Sequence, residues 1–421
     1  MKNLSISKIT QATLFAMGLS LSSASVLARD LVEDFQKALK FDPTYQGALA
    51  EFEAGQKGVK QARSVFFPEA TFGTQRLATD TTSRTTFTVT QPLLDYERWL
   101  TLDQAAPKQL LAEVGLQGKK QDLAISLFKA SNAVVLANEN IKLNQAKIAA
   151  VDQQAERAKR LLQAGQGTVT DLRDIEVKAS QAKAQQLVFK TQQQIALKQY
   201  EAIVGELPKA SEFVLPTVHG KYNLLPLAQY TQMALQGGPN VMSARYSLQI
   251  AEFEVKKIKA SFLPVMTAQY QYSKSAGAAV SNSYVGLGLS VPLKAGTWYN
   301  IETAQANVLR AQENIRETES KVRLEADKLS SLAQSGLEGL RIQGEAIAAA
   351  ELSVEANTKS YQGGVRSAVD VLNAIQTSFQ VKSDYVTLVT TQAENILSLV
   401  LLAAVEPQDA LTEAYKYLFA K

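Results

Sequence analysis

A unit of about 200 residues occurs twice in this chain, and that duplication limits the available folds more than any other feature. Phe66-Phe67-Pro68 recurs as Phe262-Leu263-Pro264, and Val89-Thr90-Gln91-Pro92-Leu93 recurs as Leu289-Ser290-Val291-Pro292-Leu293. Leu162-Gln163-Ala164-Gly165 followed by Asp171-Leu172 recurs as Tyr361-Gln362-Gly363-Gly364 followed by Asp370-Val371. Order and offset are both kept, so each half reads helix, Pro, strand, strand, Pro, very long helix, turn, helix. The prolines fall at helix-to-strand junctions, where a residue without a backbone donor is tolerated. Pro107 is different: it lies near the start of a long helical pattern, and a kink or restart is expected there.

The long helices carry heptads. Leu127, Val134, Ile141, Ile148, Ala155 and Leu162 recur every seventh residue, with Ala130, Ala137, Asn144, Val151 and Ala158 at the complementary position. This is a coiled-coil seam. In the second half Ile301, Val308, Ile315, Val322 and Leu329 keep the spacing, and Leu340, Ile347 and Val354 resume it after a four-residue stutter. The returning helices follow with Ile175, Ala182, Phe189, Ala196 and Ile203, and with Leu372, Phe379, Val386, Ala393 and Val400. A helix over 97–163 would be roughly 100 Å long at about 1.5 Å per residue. Phe128 is the sole aromatic between Asp103 and Lys183, so helix-on-helix packing is expected rather than a thick core.

Composition excludes several classes. The 421 residues include no Cys and one His, with 44 basic and 40 acidic side chains giving a net +4. Disulfides, thiolate nucleophiles and multi-His metal clusters are therefore ruled out, and the charge excess is too small for a dedicated nucleic-acid binder. No acid–base pair or nucleophile constellation stands out, so no enzyme and no cofactor are expected. Gly286-x-Gly288 sits inside a strand and does not open a helix, which argues against a phosphate loop.

Residues 1–28 read as an export leader: Lys2 and Lys8, an apolar stretch to Leu27, and a small-residue exit at Val26-Leu27-Ala28. With no Cys after the exit, no N-terminal lipid anchor is expected. Beyond the leader the strongest apolar run, Ile396 to Val405, is about half the ~20 residues a membrane helix needs, and no transmembrane helix is expected. Strands need only ~9 to 11 residues each. One hairpin is expected from strands at 70–77 and 85–93 and another from strands at 265–273 and 284–293. In the second, Met266, Ala268, Tyr270 and Tyr272 alternate with Thr267, Gln269 and Gln271, and Val285, Leu287 and Leu289 alternate with Gly286 and Gly288. That is period two. The first is weaker, for Ala70 to Leu77 shows little pattern. Either hairpin also suits a soluble ribbon packed on helices. If they enter lipid, four strands cannot close a barrel, because membrane barrels need at least about eight; several copies must share one, and three would supply about twelve.

In its two-fold repeat, its Phe-Phe-Pro helix exits, its Pro-ended strands and its Leu-Gln-Ala-Gly and Tyr-Gln-Gly-Gly tips, the chain resembles the TolC family of trimeric outer-membrane channel-tunnels. The likeness covers about Arg29 to Val405. It implies a mainly α fold with a membrane β-barrel: a duplicated unit of long antiparallel coiled-coil helices plus two β-hairpins, trimerising into a 12-stranded barrel and an α-helical tunnel in the periplasm. The parts would be a leader (1–28), a first repeat (29–206, long helix 97–163, return helix 171–204), an equatorial connector (207–226), a second repeat (227–404, long helix 297–360, return helix 370–402) and an equatorial tail (405–421).

The resemblance also implies a site. In family members the helix-hairpin turns form the periplasmic end, where the tunnel narrows. The matching residues are Thr170 and Asp171 on the first hairpin and Tyr361, Arg366, Asp370 and Asn373 on the second. Tyr361 and Arg366 are expected to bond Asp171 and Thr170 across neighbouring hairpins as a latch, with Asp370 lining the aperture. Asn373 stands where many members carry a second carboxylate, which halves the expected ring charge. A local reading is open beside this one: Thr168 with Asp171, and Ser367 with Asp370, have capping-box spacing. Gly165, Gly167, Gly363 and Gly364 would shape the turns, and Gly165 and Gly363-Gly364 suit left-handed helix ends. An adaptor would meet these turns.

The implied role is the outer-membrane exit duct of a tripartite export system. Its partners would be two sister copies, a periplasmic adaptor, an inner-membrane transporter of ABC type and outer-membrane lipid. Type I protein secretion is favoured because drug-efflux members are often lipoproteins; a drug or metal efflux pump and a soluble periplasmic scaffold are the alternatives. His219 is read as a solvated residue of the connector. The connector and the tail, with Leu411, Tyr415 and Leu418 at helical spacing, are expected to belt the tunnel midsection.

Overall fold

The computed structural model describes residues 30–76, 83–218, 224–275, 281–291 and 296–419. The leader, most of the first hairpin turn, His219 and Pro292 lie outside the described residues, as does the Leu418 side chain. The first half contains α1 (Leu31–Phe41), α2 (Pro43–Ser64), β1 (Glu69–Arg76), β2 (Ser83–Leu94), α3 (Tyr96–Gln163) and α4 (Val169–Val204). The second repeats that order with α5 (Leu227–Gly237), α6 (Pro239–Ala260), β3 (Val265–Ser275), β4 (Asn282–Ser290), α7 (Thr297–Gln362) and α8 (Ala368–Leu402); α9 (Pro407–Phe419) follows. The fold is mainly helical, a duplicated pair of long antiparallel helix hairpins with one small sheet.

Helix starts are chemically marked. Asp42 caps α2 by accepting from the Tyr45 amide at 2.7 Å, with Pro43 in the first turn where its missing donor costs nothing. Asp95 caps α3 through the Arg98 amide at 3.2 Å and pairs with Arg98 Nε at 2.9 Å. Arg98 also donates to the Val65 carbonyl, and Gln91 Nε2 donates to the Phe66 carbonyl at 2.9 Å. The Phe66-Phe67-Pro68 elbow is thus tied to the strand and helix that follow it.

The seam in α3 is asymmetric. Ala130, Ala137, Asn144, Val151 and Ala158 are all buried, whereas Ile141, Ile148, Ala155 and Leu162 are half-buried. Small residues at the fully buried position let α4 approach closely. Asn144 is the polar member, and its Nδ2 donates to the Ala182 carbonyl at 2.9 Å and to Gln186 Oε1 at 2.7 Å. A buried amide of this kind fixes the register in which two helices pair. Pro107 neither ends nor restarts α3, which runs through it with the ring buried.

The four-residue stutter in α7 also has a cause. Between Leu329 and Leu340 the buried positions are the small residues Ser330, Ala333 and Gly336. The Gln392 side chain of α8 lies across Gly336 and donates to the Ala333 carbonyl at 2.5 Å.

One expectation fails at the midsection. A substantial core does form there, because most of its aromatic bulk comes from outside the 103–183 stretch: Phe35 of α1, Tyr200 of α4, Phe213 of the connector and Tyr230 of α5 join Leu127, Phe128, Ile396 and Leu399. The connector docks on it. Asn138 Nδ2 donates to the Ala210 and Phe213 carbonyls at 2.7 and 2.9 Å, and Phe213 meets Tyr200 edge-on, 5.1 Å between centroids. From the tail, Leu411 is buried in the same cluster. By length and composition α8 is apolar enough to cross a bilayer, more than the Ile396–Val405 run suggested. Ile396, Leu397, Leu399, Val400 and Leu401 are nevertheless packed in this core, which accounts for the composition.

The strands form a single antiparallel sheet in the order β1-β2-β3-β4. Register aligns Ala70, Val89, Tyr270 and Val285 in one row and Phe72, Phe87 and Tyr272 in the next. A bulge at Pro92–Leu94 keeps Leu94 opposite Met266 and Leu289. Opposed residues share a face, so this face is mainly apolar, with Gln91 opposite Ala268 and with Ser283, Thr74, Thr85 and Lys274 toward the hairpin ends. The other carries Thr71, Thr88, Gln271 and Tyr284 in one row and Gly73, Thr86, Ser273 and Asn282 in another. β1 carries little period-two pattern because Phe72 is its single large apolar residue.

Gly336 gives a test of the helix packing. A Cβ there would overlap the Gln392 amide, so Gly336→Ala should destabilise the fold by about 1–3 kcal/mol, read as a lower thermal midpoint by circular dichroism. Gln392→Ala in the same chain should restore part of the loss; equal stability of Gly336→Ala and the parent would contradict the packing.

Candidate functional site

Two regions stand out physically: the sheet, whose apolar side the chain leaves uncovered, and the far end of the helix hairpins. On the sheet Phe72, Val285, Leu287 and Leu289 are 74%, 80%, 75% and 71% exposed. Monomeric soluble proteins rarely leave such a patch open. Where strands turn into helices, Phe67, Tyr96, Trp99, Phe262, Trp298 and Tyr299 form an exposed aromatic collar. Both tryptophans of the chain belong to it. Aromatic residues bounding an apolar band mark the level of a membrane interface.

At the other end the two hairpin turns are built alike. Gly165 has φ +71° and Gly364 φ +73°, the left-handed conformation that closes a helix. Gln166 N–H bonds the Leu161 carbonyl at 2.9 Å, and Val365 N–H bonds the Ser360 carbonyl at 3.0 Å. Gly363, expected to share the left-handed geometry, has φ −80° instead and is the cap residue before the turn. Gly167 is needed for space, since a Cβ would lie 3.0 Å from the Leu162 nitrogen.

The caps differ. Thr168 accepts from the Asp171 amide at 3.0 Å. On the second hairpin the box is complete: Asp370 Oδ2 accepts from the Ser367 amide at 2.9 Å and from its hydroxyl at 2.8 Å, and Ser367 Oγ accepts from the Asp370 amide at 3.3 Å. These bonds from Ser367, with Arg366 Nη1 3.8 Å from the other carboxylate oxygen, hold the Asp370 carboxyl below its usual range. It is charged at neutral pH. Asn373, Thr170 and Arg366 are exposed, whereas Asp171 is half-buried.

The two hairpins of one chain meet at the tip. Val151, Ala158, Ile175 and Ala179 of the first form an apolar cluster with Ala368, Val371, Leu372 and Ile375 of the second. Tyr361 packs on its rim. Burial, and then the Asp171 carboxylate nearby, raise the Tyr361 hydroxyl pKa, so that hydroxyl stays a donor. Arg157, which the sequence did not single out, reaches Gln362: with the amide oxygen turned toward it, the guanidinium donates at 2.9 and 2.8 Å. Its only sequence signal is an Arg about two turns before the end of α3.

Higher up, polar links join α3 to α8. Asn132 Nδ2 donates to the Thr390 carbonyl at 3.2 Å and Glu394 Oε1 at 3.1 Å, Ser383 donates to Asn140 at 2.8 Å, and Lys147 bonds Gln376. Lys147 lies 5.0 Å from the Phe379 ring centroid, and burial, then Lys178, lowers its pKa. The last link before the tip is therefore partly desolvated. Among the described residues no group of three or more acidic or His side chains is placed to hold a metal ion.

Comparison with known proteins agrees with this architecture. The family model described as "Outer membrane efflux protein" matches residues 35–206 and 230–405, one span for each half. Alkaline protease secretion protein AprF of Pseudomonas aeruginosa is 27% identical over 89% of this chain and 85% of its own length. Proteases secretion protein PrtF of Dickeya chrysanthemi is 28% identical over 87% and 86%. Outer membrane protein TolC of Escherichia coli is 22% identical over 87% and 81%. Among solved structures, the outer membrane protein VceC of Vibrio cholerae superposes with a TM-score of 0.71 at 17% identity, over 93% of this chain and 97% of that one. With two matched spans covering most of its length, an uncovered apolar sheet face and an aromatic collar, the chain belongs to the outer membrane efflux protein family and is an outer-membrane protein.

Proposed function

We propose that three copies of this chain form the exit duct of a tripartite export system and that the system is of the type I, protein-secreting kind. The observation that carries the duct reading is the sheet: apolar on one side, hydroxyl- and amide-lined on the other, and open at both edges. Such a sheet suits one segment of a shared barrel. The helix hairpins then extend the wall away from the membrane, and the tip closes or opens it. A periplasmic adaptor would meet the turns at Gly165, Gly167, Gly363 and Gly364, and an ABC-type inner-membrane transporter would supply cargo and energy.

Protein cargo is favoured because two relatives matching most of the chain are named for protease secretion. The competing efflux reading rests on a relative named for cobalt-zinc-cadmium resistance, which is 22% identical over 80% of this chain. Deleting the gene and profiling the culture medium separates them. Loss of a large secreted protein is expected; unchanged secretion together with a fall in drug or metal tolerance would favour efflux.

At the tip Tyr361 supplies a protonated hydroxyl beside Asp171, and Arg366 supplies an exposed guanidinium for a neighbouring hairpin at Asp171 and Thr170. Asp370 would line the aperture while capping its own helix, one charge per chain with Asn373 neutral beside it. The Arg366→Ser, Tyr361→Phe double variant should conduct severalfold more than the parent in planar bilayers, and an unchanged conductance would contradict the latch. Because the Asp370 pKa is depressed, its cap is present above the ordinary Asp range and is lost only as pH falls through the depressed value. Acidification from neutral to about pH 5 should therefore leave the Asp370 cap intact, with no rise in conductance from its loss.

A further inference from the structure

Resting on the shared-barrel reading above, we infer that the lipid-facing side of the sheet carries, at the end away from the helices, a binding surface for the headgroup phosphates of extracellular-leaflet lipid. Arg76 and Lys274 are its cations. The charges of the sheet are sorted by end: Glu69 is the one carboxylate among the described strand residues and stands where β1 leaves the helices, whereas Arg76, Arg84 and Lys274 all stand near the hairpin turns. They are also sorted by face. Arg84 lies on the polar face, where its Nε donates to Ser273 Oγ at 3.0 Å. Arg76 is opposite Ser83 and Lys274 is opposite Thr85, in the same alternation as Phe72, Phe87 and Tyr272. Both therefore lie on the mainly apolar face, just past its aromatic row, and both are exposed.

A cation on the outside of a membrane barrel is costly at mid-bilayer depth and tolerated at the interface, so these two positions belong at headgroup level. The boundary at the helix end is marked by the exposed Trp99, Trp298 and Tyr299. The hairpin end adds fixed positive charge, and the two leaflets thus meet different chemistry. A guanidinium grips phosphate oxygens in pairs, and an ammonium adds a compact point charge. Thr74 and Thr85 share a row with Lys274, and their hydroxyls can donate to further phosphate oxygens. With β2 between them, Arg76 and Lys274 are offset by roughly 10 Å across the sheet and about 7 Å along it. Two such long side chains can reach one headgroup that bears two phosphates. The apolar rows continue directly from these cations to Val285 and Leu287, 80% and 75% exposed, so acyl chains have a surface to lie on. That continuity favours a lipid phosphate over a free anion.

The test uses the full trimer, purified in detergent and stripped of lipid, with native mass spectrometry as the readout and lipid A, an acylated disaccharide bearing two phosphates, as the probe. The parent should retain lipid A, and the Arg76→Gln, Lys274→Gln double variant should retain severalfold less. Lipid A freed of its phosphates should bind the parent no better than it binds the double variant. Arg84→Gln, on the opposite face, should bind as the parent does, and inorganic phosphate in large excess should not displace the lipid. As a second measurement, lipid A should raise the temperature at which the parent trimer dissociates and leave that of the double variant unmoved. The inference is overturned if the double variant retains lipid A as the parent does, or if the phosphate-free lipid binds the parent equally well. It is overturned also if Arg84→Gln loses as much as the pair, if inorganic phosphate displaces the lipid, or if lipid A raises both dissociation temperatures alike. A parent that forms no trimer would instead bring down the shared-barrel reading, and this inference with it.

Discussion

An unpaired strand edge cannot be left in hydrocarbon, since each orphaned backbone donor or acceptor there costs several kcal/mol. The four-stranded sheet of this protein has such edges, along β1 and β4, and its apolar face is uncovered. Each chain is therefore a fraction of a membrane structure. The same incompleteness shows on the helices, where Val177, Leu187 and Ile195 of α4 and Leu309, Leu324 and Leu352 of α7 are exposed. Sheet and rods alike await neighbours.

The remaining architecture distributes rigidity along the length. Near the membrane, the Arg98, Asp95 and Gln91 bonds tie the α2 exit at Val65 and Phe66 to β2 and α3. At the midsection, the large core with its docked connector and tail supplies most of the apolar burial. Toward the tip the burial thins to a small cluster of mostly Ala and Val with few larger side chains, bounded by the Arg157–Gln362 contact and the partly desolvated Lys147. Stability in a protein is lowest where buried apolar contact is sparse. On the reading proposed above, the end that opens is the end that is held least.

What the sequence made legible was whatever repeats at short range or at a fixed long offset. The seam from Ala130 to Ala158 and the tandem tips at Gly165 and Gly364 follow from periodicity. The restart expected at Pro107 does not occur, because α3 continues through it with the ring on a buried face. The midsection core was missed because Phe35, Tyr200, Phe213 and Tyr230 are far apart in sequence and show no shared pattern. Arg157 with Gln362, and Gly336 beneath Gln392, are contacts between helices whose partners local spacing cannot announce. Gly363 was read as a left-handed residue on its identity alone, although Gly364 is the residue in the position that needs it.

The central claim, that a lipid-embedded pore exists only when copies pool their strands, is tested most directly by imaging the detergent-purified particle. Single-particle electron microscopy should show a threefold-symmetric hollow cylinder well over roughly 100 Å long, as set by the helix length. A single chain in water, with its sheet folded back onto its own helices, would contradict it.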